Sequence, residues 1–163
     1  MANKKIKNAT QSSSNGITFK SQMERSIYNT LLQQGFEPQY EPTTFTLWEG
    51  FIPITPYYDE ETNKQKIKRL SKGIDIRALK ILIQKTGKII GIRYTPDFYF
   101  KYNDLNVYIE VKGIENDVFY IKKKMFIKYL DDLYTRKGEK SIYFEIHTKK
   151  QLLQAIEILK SYG

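Results

Sequence analysis

The sequence predicts an α/β fold, a mixed β-sheet flanked by helices in a single domain. Three observations carry that prediction. Apolar residues recur at helical spacing near both ends, as Met23, Ile27, Leu31 and again as Leu152, Ile156, Leu159. Aromatic and β-branched runs fill the middle, at 74–83, 88–94, 98–102, 107–111 and 141–148. The chain has 163 residues and no cysteine, so it is the size of one domain that buries its own core without disulfides or thiolate-bound metal.

In chain order, residues 1–15 read as a flexible basic tail, polar and ending in Ser12-Ser13-Ser14 ahead of Asn15-Gly16, and the folded domain as 16–163. Ser21-Gln22-Met23-Glu24 is an S-x-x-E capping box that opens a helix over about 21–34, closed by Gly35. Pro38 and Pro42 hold the next stretch extended, leading to a strand near Phe45–Trp48 that Pro53 and Pro56 end. Trp48 reads as a packing residue. Residues 59–72 form a charged insertion holding Lys64, Lys66, Lys68, Arg69 and Lys72. A solvated loop or helix and a nucleic-acid contact are equally weighted readings of it. The runs 74–83 and 88–94 are predicted to pair through Gln84-Lys85-Thr86-Gly87 as a hairpin. A helix over about 118–134 carries Ile121, Met125, Tyr129, Leu130 and Leu133 beside Lys122-Lys123-Lys124. Ser141 to Thr148 is a strand with Ile142, Phe144 and Ile146 on one face, and Thr148-Lys149-Lys150-Gln151 is a capping box for the last helix.

The net charge of +9, with a sequence pI near 9.5, favours an anionic partner, and DNA or RNA phosphate is the simplest one. No apolar run approaches the ~20 residues of a membrane span, and Met1 to Lys7 lacks the apolar core of a signal peptide, so an intracellular location without membrane contact is expected. His147 is the only histidine and, with no second imidazole or cysteine, is not read as a metal ligand.

Chemistry concentrates at Pro96-Asp97 and Glu110-Val111-Lys112. If the hairpin between the two flanking strands is centred between Asn103 and Asp104, opposed residues have numbers summing to 207, and Asp97 faces Glu110. Opposed side chains on one face lie about 4.5–5.5 Å apart at Cβ, close enough for two carboxylates to share a hard cation. Lys112 follows on the same face by the two-residue alternation. Oxygen-only ligands favour Mg2+, with Mn2+ as a substitute. The plainer reading is a surface ion pair between Glu110 and Lys112. Glu24 likewise has two readings, helix cap or third acid at the sheet edge.

Pro96-Asp97 followed by Glu110-x-Lys112, with Glu24 on an N-terminal helix and a lysine-rich helix after the hairpin, resembles the PD-(D/E)XK nuclease superfamily. Within it the order of these features is similar to the phage endonuclease I group of Holliday-junction resolvases and to related small phage nucleases, over roughly residues 16–147. The Asp97-to-Glu110 interval is longer here by a few residues, and about thirty additional residues precede Pro96. The resemblance implies a restriction-endonuclease-like sheet and a Mg2+-dependent endonuclease acting on double-stranded or branched DNA in a phage-infected host cytoplasm. It implies metal ligation by Asp97, Glu110, the Val111 carbonyl and Glu24, and catalytic support from Lys112. Lys123 or Lys124 would sit near the scissile phosphate, and symmetric junction cutting would require a homodimer. The competing expectation is an inactive nuclease fold serving as a nucleic-acid-binding or phage structural module.

Overall fold

The structure, a computed structural model, describes residues 10–74, 81–113 and 117–162. Residues 75–80, where the sequence predicts the start of a strand, lie outside the described residues. The fold is α/β with a mixed sheet flanked by helices, and the described residues form two compact units, one up to Leu47 and again from Arg93, the other between Trp48 and Ile92.

The larger unit opens with an antiparallel pair, β1 (Ser12–Ser14) and β2 (Ile17–Phe19), joined by Asn15 and Gly16, both at positive φ. Asn-Gly with both residues left-handed is the turn whose twist matches a two-residue hairpin. Residues 12–14 therefore belong to the folded unit, a correction to the end of the tail predicted over 1–15, set by turn chemistry that serine-rich composition obscured; residues 1–9 of that tail lie outside the described residues. Helix α1 (Gln22–Gln33) follows, with Ser21 as its cap. A four-stranded sheet lies at the centre, in the order β10 (Ser141–Ile146), β9 (Leu105–Val111), β8 (Phe98–Tyr102), β3 (Gln39–Tyr40). β10 runs parallel to β9, and the other pairings are antiparallel. The β8–β9 register pairs Phe98 with Ile109 and Tyr102 with Leu105, the sum-of-207 rule, with Asn103 at positive φ in the two-residue turn.

Alternation along these strands divides the core. One face presents Phe98, Phe100, Val107, Ile109, Ile142, Phe144 and Ile146 to Ile27 and Leu31 of α1 and to Leu152, Ile156 and Leu159 of α4 (Lys149–Ser161). Thr148 and Gln151 form the capping box of α4. The opposite face is aromatic. Tyr99, Tyr108 and Tyr143 meet Phe119, Phe126 and Leu130 of α3 (Asp117–Lys137). Helix α3 thus buries Phe119, Phe126 and Leu130, while Ile121 of the predicted apolar stripe is exposed. The predicted stripe was phased on Ile121 and Met125, but the tyrosine-lined face offers a flat surface that the Phe119 and Phe126 rings fill. Strand β4 (Phe45–Trp48) pairs with β7 (Ile92–Tyr94), and Phe45 lies against the Phe126 ring at 5.2 Å.

The unit 48–92 contains β5 (Tyr57–Glu60), α2 (Asn63–Leu70) and β6 (Leu82–Lys85). β5 pairs with β6 in antiparallel register, and β7 with β4, so β6 and β7 are not the hairpin that Gln84–Gly87 predicts. A glycine-containing turn is a weak local preference, and strands of distant sequence outcompeted it. Phe51 and Ile89 exchange backbone bonds of 3.0 and 2.8 Å. Beside them the chains cross so closely that a Cβ on Gly91 would fall 2.5 Å from the Trp48 carbonyl oxygen and 2.8 Å from the Gly50 nitrogen. Gly91→Ala is expected to cost about 1–3 kcal/mol through that clash, read as faster hydrogen exchange at the Phe51 and Ile89 amides. Gly87→Ala, where a Cβ meets nothing within 4 Å, is the near-neutral control. Trp48, predicted to be a packing residue, is exposed, and its ring lies edge-on against Phe51 at 5.3 Å.

Candidate metal and phosphodiester site

Extending the β8–β9 register by one residue sets Asp97 against Glu110 on the α3 face. The turn before β8 is fixed on both sides: Pro96 is fully buried, and the Asp97 carbonyl accepts from the Glu41 amide at 2.8 Å. The Asp97 carboxylate accepts from the Val111 amide at 2.7 Å, which ties the start of β8 to the end of β9. Because the N–H and C=O of one strand residue point toward the same edge, the Val111 carbonyl faces the Asp97 side as well.

Glu110 is buried, and both its oxygens have partners. The Tyr94 hydroxyl donates to Oε2 at 2.6 Å, and the Lys112 ammonium lies 2.5 Å from Oε1. Tyr94 also meets Tyr143 at 3.2 Å between hydroxyls. Lys112 rests over the Phe119 ring, 4.3 Å from its centroid, which holds the ammonium against the sheet. Burial and the Glu110 charge push the Tyr94 hydroxyl far up, so it stays a donor to that carboxylate.

Asp97 keeps part of its surface open to solvent, yet protein surrounds most of it. Burial, then the charge of Glu110, hold its carboxyl well above the usual carboxylate range; Glu24 adds to the rise, and the Val111 amide and Lys112 oppose it. Two facing carboxylates with one proton affinity raised are a site short of positive charge.

Glu24 is the N3 residue of α1 and is buried. Ser21 Oγ accepts from its amide at 3.1 Å and donates to its Oε1 at 2.8 Å. Its other oxygen accepts from the Lys20 amide at 3.1 Å and from the Tyr40 hydroxyl at 2.6 Å. The carboxylate therefore caps one residue farther back than an ordinary capping box, and the same groups turn it toward β3, whose neighbour is β8. Lys20 pairs with Glu41, and its charge is also felt by Asp97 and Glu24.

The remaining sequence-predicted residues divide. Lys123 lies on the sheet-facing side of α3, 2.6 Å from Glu145 Oε2, whereas Lys124 is exposed. In the unit 48–92, Lys64, Lys68 and Lys72 are exposed and Lys66 is half-buried. Arg69 is turned inward to the buried Glu61 at 3.4 Å, so it belongs to the structure of its own unit. Sequence reasoning missed the contacts of Tyr94, Tyr143, Tyr40 and Glu145, and weighed His147 only as a metal ligand. Glu145-x-His147 repeats the alternation of Glu110-x-Lys112, a signal that was present in the chain.

Among the described residues, no group of three or more acidic or histidine side chains is gathered for a metal ion. The donor set at Asp97 and Glu110 is two carboxylates with a backbone carbonyl on the same edge. It is all oxygen, suits a hard divalent cation, and would exchange the Lys112 ammonium on Glu110 for that cation. Comparison with protein-family models, with curated proteins and with solved structures finds no match. Among the described residues no helix is long and apolar enough to cross a membrane.

Proposed function

We propose that this protein is a metal-dependent endonuclease of the PD-(D/E)XK type that hydrolyses DNA phosphodiester bonds. The observation that carries the reading is Asp97 opposite Glu110, with the Asp97 carboxyl raised by burial and then by that neighbour, and Lys112 on the same face. Asp97, Glu110 and the Val111 carbonyl would hold Mg2+, which supplies a Lewis acid and an acidified water at neutral pH. Released from Glu110, Lys112 would orient that water or meet a phosphate oxygen, its ammonium still resting over the Phe119 ring. The Glu24 charge, felt at Asp97, adds a negative field that favours a second positive charge. The net charge of +9 and the exposed lysines of α2 suit a polyanionic substrate. By the resemblance of Pro96-Asp97 and Glu110-x-Lys112, the substrate is branched DNA, and two active sites in a homodimer would cut it symmetrically.

One observation favours the inactive alternative. Glu110 is already satisfied on both oxygens by Lys112 and Tyr94, as a purely structural carboxylate would be. A panel of linear, nicked and four-way DNA substrates with Mg2+ separates the two readings. Metal-dependent cleavage, strongest on the four-way substrate, is the expected result. Binding to all three with no cleavage of any would leave the nucleic-acid-binding module.

A further inference from the structure

Beside the Glu110–Lys112 row lies a second one that the proposed chemistry does not use. Parallel pairing sets Glu145 of β10 in register with Glu110 of β9, and Ile146 with Val111, so His147 follows beside Lys112. Both glutamates point to the α3 face, since Glu145 meets Lys123 of that helix. One Glu145 oxygen lies 2.6 Å from the Lys123 ammonium, and the other 2.8 Å from His147 Nε2. Lys123 also lies over two rings, 5.5 Å from the Phe119 centroid and 5.0 Å from that of Tyr120. Lys112 and Lys123 thus share the Phe119 ring and are each drawn in by a glutamate. Tyr143, two residues before Glu145, feels the charges of Glu110, Glu145 and Asp97, so the two rows form one electrostatic cluster.

A lysine in solution loses its freedom when it binds an anion, and that ordering cost weakens the contact. Here Glu145 and two aromatic rings have already ordered Lys123. An ammonium carries three donors, and a single carboxylate oxygen uses one of them.

We infer that Glu145 is a positioning residue. By holding the Lys123 ammonium beside Glu110–Lys112, with the His147 ring on its other oxygen, it sets an ordered cation that takes the phosphate next to the one being cut. The substrate class is then a polynucleotide strand gripped at neighbouring phosphates, in preference to an isolated phosphodiester. The inference rests on the nucleic-acid reading given above, and its test separates binding from cleavage.

Glu145→Gln and Lys123→Gln are compared with the wild-type full chain. Binding of a short fluorescein-labelled DNA duplex is followed by anisotropy with Ca2+ in place of Mg2+, across a range of salt. Cleavage of the same duplex and of bis(p-nitrophenyl) phosphate is then measured with Mg2+. The sign of the Glu145→Gln effect is decisive. An idle carboxylate near DNA, once neutralised, would leave binding unchanged or tighten it. A positioning carboxylate gives weaker binding, by roughly fivefold, and a salt slope smaller by about one, as in Lys123→Gln. KM for the duplex should rise about fivefold more than KM for the single diester. Unchanged or tighter binding by Glu145→Gln, equal losses on the two substrates, or no duplex binding by the wild type would each overturn the inference. If the wild type binds but cuts neither substrate, and Glu145→Gln still weakens binding, the hydrolytic reading fails while the phosphate contact stands.

Discussion

Asp97→Asn is expected to abolish Mg2+-dependent DNA cleavage, by at least about 100-fold, and to make the metal-free protein more stable at neutral pH. The two effects share a cause. Burial and Glu110 raise the Asp97 carboxyl in the folded state, so that state binds a proton more readily than the unfolded chain. Stability from this group is therefore fullest below the unfolded value of about 3.9. It is lost as pH rises from there through the raised folded value, because ionising Asp97 beside Glu110 costs the fold free energy. Asparagine cannot ionise, so the variant escapes that loss. Melting temperature against pH, measured in chelator, should show the wild type falling below the variant as pH climbs from acid to neutral, with the curves converging in acid. Mg2+ should then raise the wild-type melting temperature and leave that of Asp97→Asn unmoved, since a ligand stabilises only the state that binds it. DNA binding should persist in the variant. Coincident curves at every pH would remove the electrostatic basis of the site.

Phe126→Ala carries the largest expected stability effect away from the carboxylates. Phe126 is fully buried in the aromatic layer under α3, with ring centroids of Tyr94 at 4.7 Å, Phe45 at 5.2 Å, Tyr108 at 5.3 Å and Tyr143 at 5.9 Å. Truncation leaves a cavity among stiff rings that cannot collapse into it, at a cost of about 3–5 kcal/mol. That is a large fraction of the 5–15 kcal/mol typical of a whole domain, so the urea midpoint should fall sharply or the variant should fail to fold. Phe126→Leu keeps most of the volume and should fold. It should still cleave more slowly, because Tyr94 rests on Phe126 while its hydroxyl holds Glu110. Wild-type urea midpoints for Phe126→Ala would contradict the assignment of this ring to the centre of the layer.

How much of this was legible beforehand differs by residue. The β8–β9 register was, because Asn103-Asp104 is a tight turn between strongly β-prone runs, and counting outward from it fixes Asp97 opposite Glu110. Both capped helix starts, Ser21 and Thr148, were legible for the same local reason. Asn15-Gly16 carried an equally good turn signal, masked by the serines before it. The partner choice of β6 and β7 was not legible, since it depends on strands β5 and β4 some 25 to 47 residues earlier. The same holds for what surrounds the carboxylates. Tyr94 reaches Glu110 across 16 residues and Tyr143 across 49, and no local pattern announces contacts of that range. Lys123 could be separated from Lys122 and Lys124 only once α3 had a phase, and the Phe119 and Phe126 rings set it.

The carboxylate pair as a cation site is open to one direct measurement, calorimetric titration of Mg2+ into the wild type and into Glu110→Gln. Glu110→Gln keeps shape and hydrogen-bonding capacity while removing the charge that, with Asp97, would attract the ion. A saturable Mg2+ site in the wild type that is lost in Glu110→Gln is the expected result. No saturable binding in the wild type, or the same site undiminished in Glu110→Gln, would contradict it.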